Sequence, residues 1–262
     1  MSNFEFVKKR KEESAFILTI DNPPVNALNF KLLDELVAGV NEGSNDSEVR
    51  GIVITGAGNN AFCAGADLKM MQELGPQDAE KIAEVGHHTF NTIENCPKPV
   101  LVAINGLTLG GGCELAMSCD IRYASDRARF GQPEVTLGLI PAWGGTQRMS
   151  RLIGKAKAKE LIYSGQIINA QEALRIGLVN KVVPDGEELR AAVDYVRMLA
   201  AKTSPFAVMQ AKMAINKGLQ EPSIEKGLQY EVEAVKAIAN SEDLREGIEA
   251  FLTKRPPKYT GK

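Results

Sequence analysis

Two glycine-centred turns and two glutamates are the residues of this chain best suited to chemistry. Phe62-Cys63-Ala64-Gly65-Ala66-Asp67 and Asn105-Gly106-Leu107-Thr108-Leu109-Gly110-Gly111-Gly112-Cys113-Glu114 each follow an apolar run. Consecutive glycines free the backbone to take dihedrals that other residues avoid, and let a ligand approach closely. A helix starting near Gly112 would leave its first amides unpaired and pointing into the loop. Two such loops side by side could aim two N–H groups at one oxygen, an oxyanion hole built without side chains. On spacing alone, two ordinary strand-to-helix turns remain the competing reading. Glu114 stands at the start of that helix, and Glu134 follows in Phe130-Gly131-Gln132-Pro133-Glu134. Both lie in apolar, glycine-rich surroundings, where burial tunes a carboxyl for acid–base work. The bland alternative is a pair of surface glutamates.

Other motifs carry less. Gly56-Ala57-Gly58-Asn59-Asn60-Ala61 matches the G-x-G-x-x-G/A pattern. It opens no clear helix, and no acid closes a second strand about 20 residues on, so it reads as a turn. His87 and His88 are adjacent, so they cannot share one helix face as metal ligands, and they read as part of an exposed helix. There is no HExxH, GxSxG or P-loop pattern. The lone tryptophan, Trp143, is followed by Gly144-Gly145. A lone tryptophan is usually packed, but beside a glycine pair it could shape a pocket.

The elements that must position these residues are legible in the pattern. Ala15 to Ile20 reads as a strand, stopped by Asn22-Pro23-Pro24. Leu32, Leu33, Leu36, Val37 and Val40 recur at helical spacing. Gly51 to Thr55 and Val100 to Ile104 are continuous apolar runs, as expected of strands buried on both faces. Asp78 to Glu94 reads as a helix, Asp120 to Ala124 as a third such strand, and Leu178 to Val183 as a last short one. Strands alternating with helices predict parallel βαβ units and an α/β fold. Asn169 with Glu172 resembles a capping box, and Gly177 sits where a helix C-terminal glycine belongs. Helices follow with Leu189, Val193 and Val196, then after Ser204-Pro205, from Ser223, and from Glu242 to Leu252. The helices beyond residue 200 either close their own core or pack on a neighbour.

The chain has 262 residues, with 31 Lys plus Arg against 33 Asp plus Glu and a net charge of −2. That balance gives no chain-wide case for nucleic acid as a partner. Area scaling predicts roughly 11,000 Å² of folded surface, so a substantial core forms without staples. Cys63, Cys96, Cys113 and Cys119 form no CxxC pair and read as reduced thiols in a cytoplasmic compartment. The opening MSNFEFVKKRKEES has no apolar signal core, and no run of apolar residues is long enough to span a membrane.

Taken together, four segments resemble the enoyl-CoA hydratase (crotonase) family: Phe62 to Lys69, Ile104 to Asp120, Phe130 to Arg148 and Gly154 to Gly165. The likeness is ordered and runs from Asn26-Ala27-Leu28 to Lys254-Arg255-Pro256. It implies a spiral of ββα units in two roughly perpendicular sheets over residues 1–200. A helical oligomerisation region would span 201–262, forming a homotrimer or a hexamer of paired trimers. It further implies an acyl-CoA thioester substrate. No metal and no cofactor are implied beyond the coenzyme A that is part of the substrate.

By the same resemblance Ala66 and Gly111 supply the oxyanion amides, and Glu114 and Glu134 flank a catalytic water. Glu134 would be the α-carbon acid and Glu114 the water-activating base. Ala64 would meet the adenine, and Asp67, Lys69, Gly110, Ala142 and Trp143 would contact substrate. The implied activity is reversible hydration of 2-trans-enoyl-CoA in fatty acid metabolism. Hydration of a branched or dicarboxylic enoyl-CoA, enoyl-CoA isomerisation, and an RNA-binding role using Lys8-Lys9-Arg10-Lys11 are the alternatives. Many relatives carry Lys or Arg before Asn-Ala-Leu; here Val25 stands there, leaving Lys69, Lys254 and Arg255 for the coenzyme A phosphates.

Overall fold

The apolar runs become the strands of the larger of two sheets. The computed structural model describes residues 4–73 and 75–262. Strands β1 (Val7–Glu12), β2 (Ala15–Ile20), β3 (Gly51–Gly56), β4 (Ala61–Cys63), β5 (Val100–Ile104), β6 (Leu107–Leu109), β7 (Ile121–Ser125), β8 (Arg129–Gly131), β9 (Ile168–Asn169) and β10 (Lys181–Val183) divide between them. The large sheet runs β1-β2-β3-β5-β7-β10 and the small one β4-β6-β8-β9. Within the large sheet only β1 is antiparallel to its neighbour. In the small sheet β4, β6 and β8 are parallel, and β9 closes the edge antiparallel.

The helices are α1 (Phe30–Asn45), α2 (Leu68–Glu73), α3 (Ala79–Glu94), α4 (Gly111–Ser118), α5 (Gly145–Ile153), α6 (Lys155–Ser164), α7 (Ala170–Arg175), α8 (Glu188–Lys202), α9 (Pro205–Gly218), α10 (Ile224–Ile238) and α11 (Glu242–Leu252). Each long strand β3, β5 and β7 is followed by a short one, β4, β6 and β8, and then by helical turns. The chain thus winds as ββα units, adding one strand to each sheet per turn.

β3 and β5 are buried along their whole length. Ile17, Val53, Leu101 and Ala103 face Ala192, Val193 and Val196 of α8. Their neighbours Leu18, Ile52, Ile54, Val100 and Val102 join the main core with α1, α3 and α4. Helices on both faces explain why these strands read as unbroken apolar runs.

Four expectations are corrected. The third strand starts at Ile121 rather than Asp120, because the Asp120 carboxylate is taken by the Val100 N–H and Lys212 Nζ, each at 2.7 Å. Leu178 and Val179 are buried but not in a strand: both amides donate to the Ala173 carbonyl, so they pack as a turn before β10. Asn169 caps α7 through the Glu172 N–H at 2.9 Å. The reciprocal half of the box is missing, because the Glu172 carboxylate pairs with Arg175 and Lys157. The Lys8–Lys11 run is edge strand β1, not a basic helix face. Lys8 pairs with Asp21, Lys9 with Glu42, Arg10 with Glu12, and Lys11 with Asp46 and Glu48.

Ser204, Ser223 and Ser241 each accept from an amide in the first turn of α9, α10 and α11. α10 leaves Ile224 at 72% and Val235 at 65% exposure, and α11 leaves Phe251 at 83%. The accessible surface is 13552 Å², against roughly 11,000 Å² for an isolated globule of this mass. The exposed apolar faces of α10 and α11 contribute to that excess.

Candidate active site

The order of the small sheet assembles the site. The turns leaving the carboxyl ends of β4, β6 and β8 carry Ala64 to Asp67, Gly110 to Gly112, and Gln132 to Glu134. Because β4, β6 and β8 are parallel neighbours, those three turns lie side by side. Ligands of open α/β sheets gather at this end of the strands.

The first turn is held from behind by the Asn26-Ala27-Leu28 segment. The Ala64 N–H donates to Val25 O at 3.0 Å, Leu28 N–H to Gly65 O at 2.8 Å, and Asp67 N–H to Leu28 O at 2.9 Å. A parallel bridge of this kind uses residues 65 and 67, so Ala66 turns its own N–H to the opposite side. Asn26, itself in the left-handed region at φ 57°, donates to the carbonyls of Ala57 and Ala61, both at 3.0 Å. Asn26→Ala strands those acceptors and is expected to lower the unfolding free energy by about 1–3 kcal/mol. Urea unfolding measures it, and an unchanged midpoint would remove Asn26 from the account.

The second turn explains its glycines. Gly110 has φ 52° and ψ −127°, a region in which side-chain-bearing residues are strained. A β-carbon on Gly112 would lie 2.1 Å from Cys63 O, so only glycine lets α4 approach β4 this closely. The helix starts at Gly111, close to the expected Gly112. Ala66 N stands 3.5 Å from the point where a Gly111 β-carbon would be, and Gly111 N stands 3.5 Å from the corresponding point on Gly65. Among the described residues, neither the Ala66 nor the Gly111 N–H has a protein acceptor.

Glu114, in the first turn of α4, is only 2% exposed. Its Oε1 accepts from the Trp143 N–H at 2.8 Å and the Gly145 N–H at 2.6 Å. Burial nevertheless pushes its carboxyl up to about 8, against the pull of those two amides. Glu134, on the short helical turn after β8, is half-buried, and burial raises its carboxyl as well. Gln132 lies between the two and is fully buried. With its nitrogen toward Glu134, the Gln132 amide donates to Oε1 at 3.0 Å, to Oε2 at 3.2 Å, and to Gly110 O at 3.2 Å. The other end of that amide stands 2.5 Å from the β-position of Gly145, and Glu114 Oε1 stands 2.9 Å from the same position.

Ala66, Gly110, Gly111, Glu114, Glu134 and Trp143 therefore come together. The remaining candidates lie around this cluster. Asp67 Oδ1 accepts from the Lys69 N–H at 2.9 Å, so its carboxylate is engaged at the start of α2. Lys69 and Ala142 are exposed. Arg255 is held bidentate by Glu246 at 2.7 and 2.8 Å. Gln132 and the amides of Trp143 and Gly145 were not foreseen. Arg148 is a further support: it donates to Trp143 O at 3.2 Å and pairs with Glu94, tying the Trp143 loop to α3. Among the described residues no cluster of His, Cys, Asp and Glu could hold a metal, and no helix is long and apolar enough to cross a membrane.

The family model described as Enoyl-CoA hydratase/isomerase matches residues 10–262. The short-chain-enoyl-CoA hydratase of Clostridium acetobutylicum is 46% identical over 246 residues, covering 94% of each chain. The crotonyl-CoA hydratase of Syntrophomonas wolfei is 43% identical over 260 residues, covering 99% of each. Among solved structures, an enoyl-CoA hydratase from Bacillus anthracis superposes with a TM-score of 0.94 at 38% identity, covering 98% of this chain and 100% of that one. The two-sheet ββα winding is thus the fold that the sequence motifs implied, and this chain belongs to the enoyl-CoA hydratase/isomerase family.

Proposed function

We propose that this protein is an enoyl-CoA hydratase, adding water reversibly to a 2-trans-enoyl-CoA to give the 3-hydroxyacyl-CoA. The observation that carries the reading is the pairing of two buried or half-buried carboxyls beside two unpaired amides. The thioester oxygen would sit between the Ala66 and Gly111 N–H groups, and Glu114 and Glu134 would hold one water over the double bond. Glu114 takes a proton from that water as its oxygen bonds to the β-carbon. The π pair moves toward the carbonyl, and the enolate charge falls on the oxygen held by the amides. Glu134 delivers a proton to the α-carbon. The reaction balances with water alone and needs no redox partner. An isomerase needs only proton transfer, whereas hydration needs one group to activate water and another to protonate carbon, which the presence of both Glu114 and Glu134 supports.

Ala64 has committed its N–H to Val25, leaving its carbonyl for the adenine. The exposed apolar faces of α10 and α11 suit burial against further copies of the chain, and we assign them to a homo-oligomer. Four free, buried cysteines suit a reducing cytoplasm.

The test is loss of enoyl thioester absorbance when the protein is mixed with crotonyl-CoA. A base pushed up to about 8 is half-ionised there and loses charge below it. Because Glu134 must hold its proton while Glu114 must have lost its own, kcat/KM is expected to be bell-shaped in pH, and the profile of the residual rate of Glu114→Gln is expected to lose the limb that Glu114 sets. A profile flat from pH 6 to about 9 would remove Glu114 as the titrating base.

A further inference from the structure

Trp143 does more than lend its backbone N–H to Glu114. Its indole is 3% exposed and is fixed on three sides. Nε1–H donates to Ile82 O of α3 at 2.9 Å. The pyrrole edge fills the space that a side chain on Gly86 would need: a β-carbon there would lie 2.1 Å from Trp143 Cδ1. The ring also meets Phe90 edge-on, with centroids 5.9 Å apart at 85°. The benzo edge points the other way, into the corner of the oxyanion amides. Its Cζ3 is 2.7 Å from the β-position of Gly111, the same point that Ala66 N approaches to 3.5 Å.

Resting on the hydratase reading above, we propose that Trp143 sets the acyl-length limit of this enzyme, its indole forming a fixed wall that admits a four-carbon enoyl chain and refuses longer ones. The backbone N–H of residue 143 holds Glu114 while its benzo edge abuts Gly111, so the indole borders the oxyanion amide and its main chain anchors the water-activating carboxyl. A crotonyl chain carries a single methyl beyond its β-carbon. Each further methylene must displace packed atoms, and close-packed interiors resist this. The indole cannot swing aside without breaking the Ile82 bond and leaving the slot at Gly86, because α3 closes that side. Phenylalanine or alanine at 143 keeps the backbone N–H, so either change alters the wall while Glu114 keeps its amide.

The experiment compares kcat/KM for crotonyl-, 2-hexenoyl-, 2-octenoyl- and 2-decenoyl-CoA in the native protein, Trp143→Phe and Trp143→Ala. Dissociation constants of butanoyl- and octanoyl-CoA are measured on the same three proteins. One methylene accepted or refused by an apolar pocket changes kcat/KM by about 10–200-fold. The native protein is expected to lose at least about tenfold from crotonyl- to 2-octenoyl-CoA, and both variants to raise the octenoyl-to-crotonyl ratio by about tenfold or more. Trp143→Phe removes the benzo edge while retaining an aromatic ring against Phe90, and carries the test if the alanine variant does not fold. A native protein that uses all four substrates equally, or folded variants with an unchanged length profile, would overturn the proposal. If no enoyl-CoA is hydrated but butanoyl-CoA still binds tighter than octanoyl-CoA, with the preference relaxed in the variants, the length limit stands and the hydratase reading falls.

Discussion

Glu114→Gln is expected to hydrate crotonyl-CoA about 10²–10⁴-fold more slowly than the native protein, the range that general acid–base groups contribute. The substitution is close to isosteric. The carbonyl oxygen of the new amide can still accept from the Trp143 and Gly145 amides, so the loop that Glu114 organises is retained. What disappears is the site that takes a proton from water. Glu134→Gln is expected to fall in the same range, with coenzyme A ester binding retained in both. A near-native rate in either folded variant would remove that residue from the chemistry.

Glu114→Gln also makes a prediction about stability. The Glu114 carboxyl titrates at about 8 in the folded protein against an ordinary value of 4.5, so the folded state holds a proton that the unfolded chain has released. Its stabilising contribution is full below 4.5 and is lost as pH rises through about 8. Glutamine carries no such charge. The Tm of Glu114→Gln relative to the native protein is therefore expected to climb between about pH 5 and 9, measured by thermal unfolding across that range. A constant difference would mean that the carboxyl is already ionised in the folded state.

Gly111→Pro is expected to cost about 10²–10³-fold in kcat, the usual effect of deleting one oxyanion donor. Gly111 is the first residue of α4, where proline's missing N–H breaks no intrahelical bond. The added carbons do press on Trp143, because a β-carbon would lie 2.7 Å from its Cζ3. Gly111→Ala carries the same β-carbon and keeps the N–H, so it reads the crowding; the further loss in Gly111→Pro reads the donor together with proline's restraint on Gly110, and retained coenzyme A ester binding in Gly111→Pro checks that the turn is intact. Equal rates for Pro and Ala would show that this amide does not hold the enolate oxygen.

Much of this protein was determined by local sequence. β2, β3 and β5 were legible because strands covered by helices on both faces need unbroken apolar runs, and the core supplies that cover through α1, α3 and α8. The starts of α9 and α10 were legible because a serine cap acts within three residues. The glycine turns and both glutamates stood out because their types are costly or unusual in those contexts.

Tertiary structure decided the rest. β4, β6 and β8 are three residues each, too short to show a period, and they exist only through pairing with one another. Yet that pairing is what sets Ala66, Gly111 and Glu134 side by side. The basic run became β1 because its backbone pairs antiparallel with β2 from Val7 to Glu12, while Asp21, Glu42, Asp46 and Glu48 meet its charges from other elements. Leu178 and Val179 looked like a strand because burial, not hydrogen bonding, is what an apolar run reports. Gln132 and the Trp143 and Gly145 amides act across the site, and sequence proximity carries no signal for such contacts. Local pattern records what each segment must bury, whereas the site depends on which segments meet, and only long-range packing decides that.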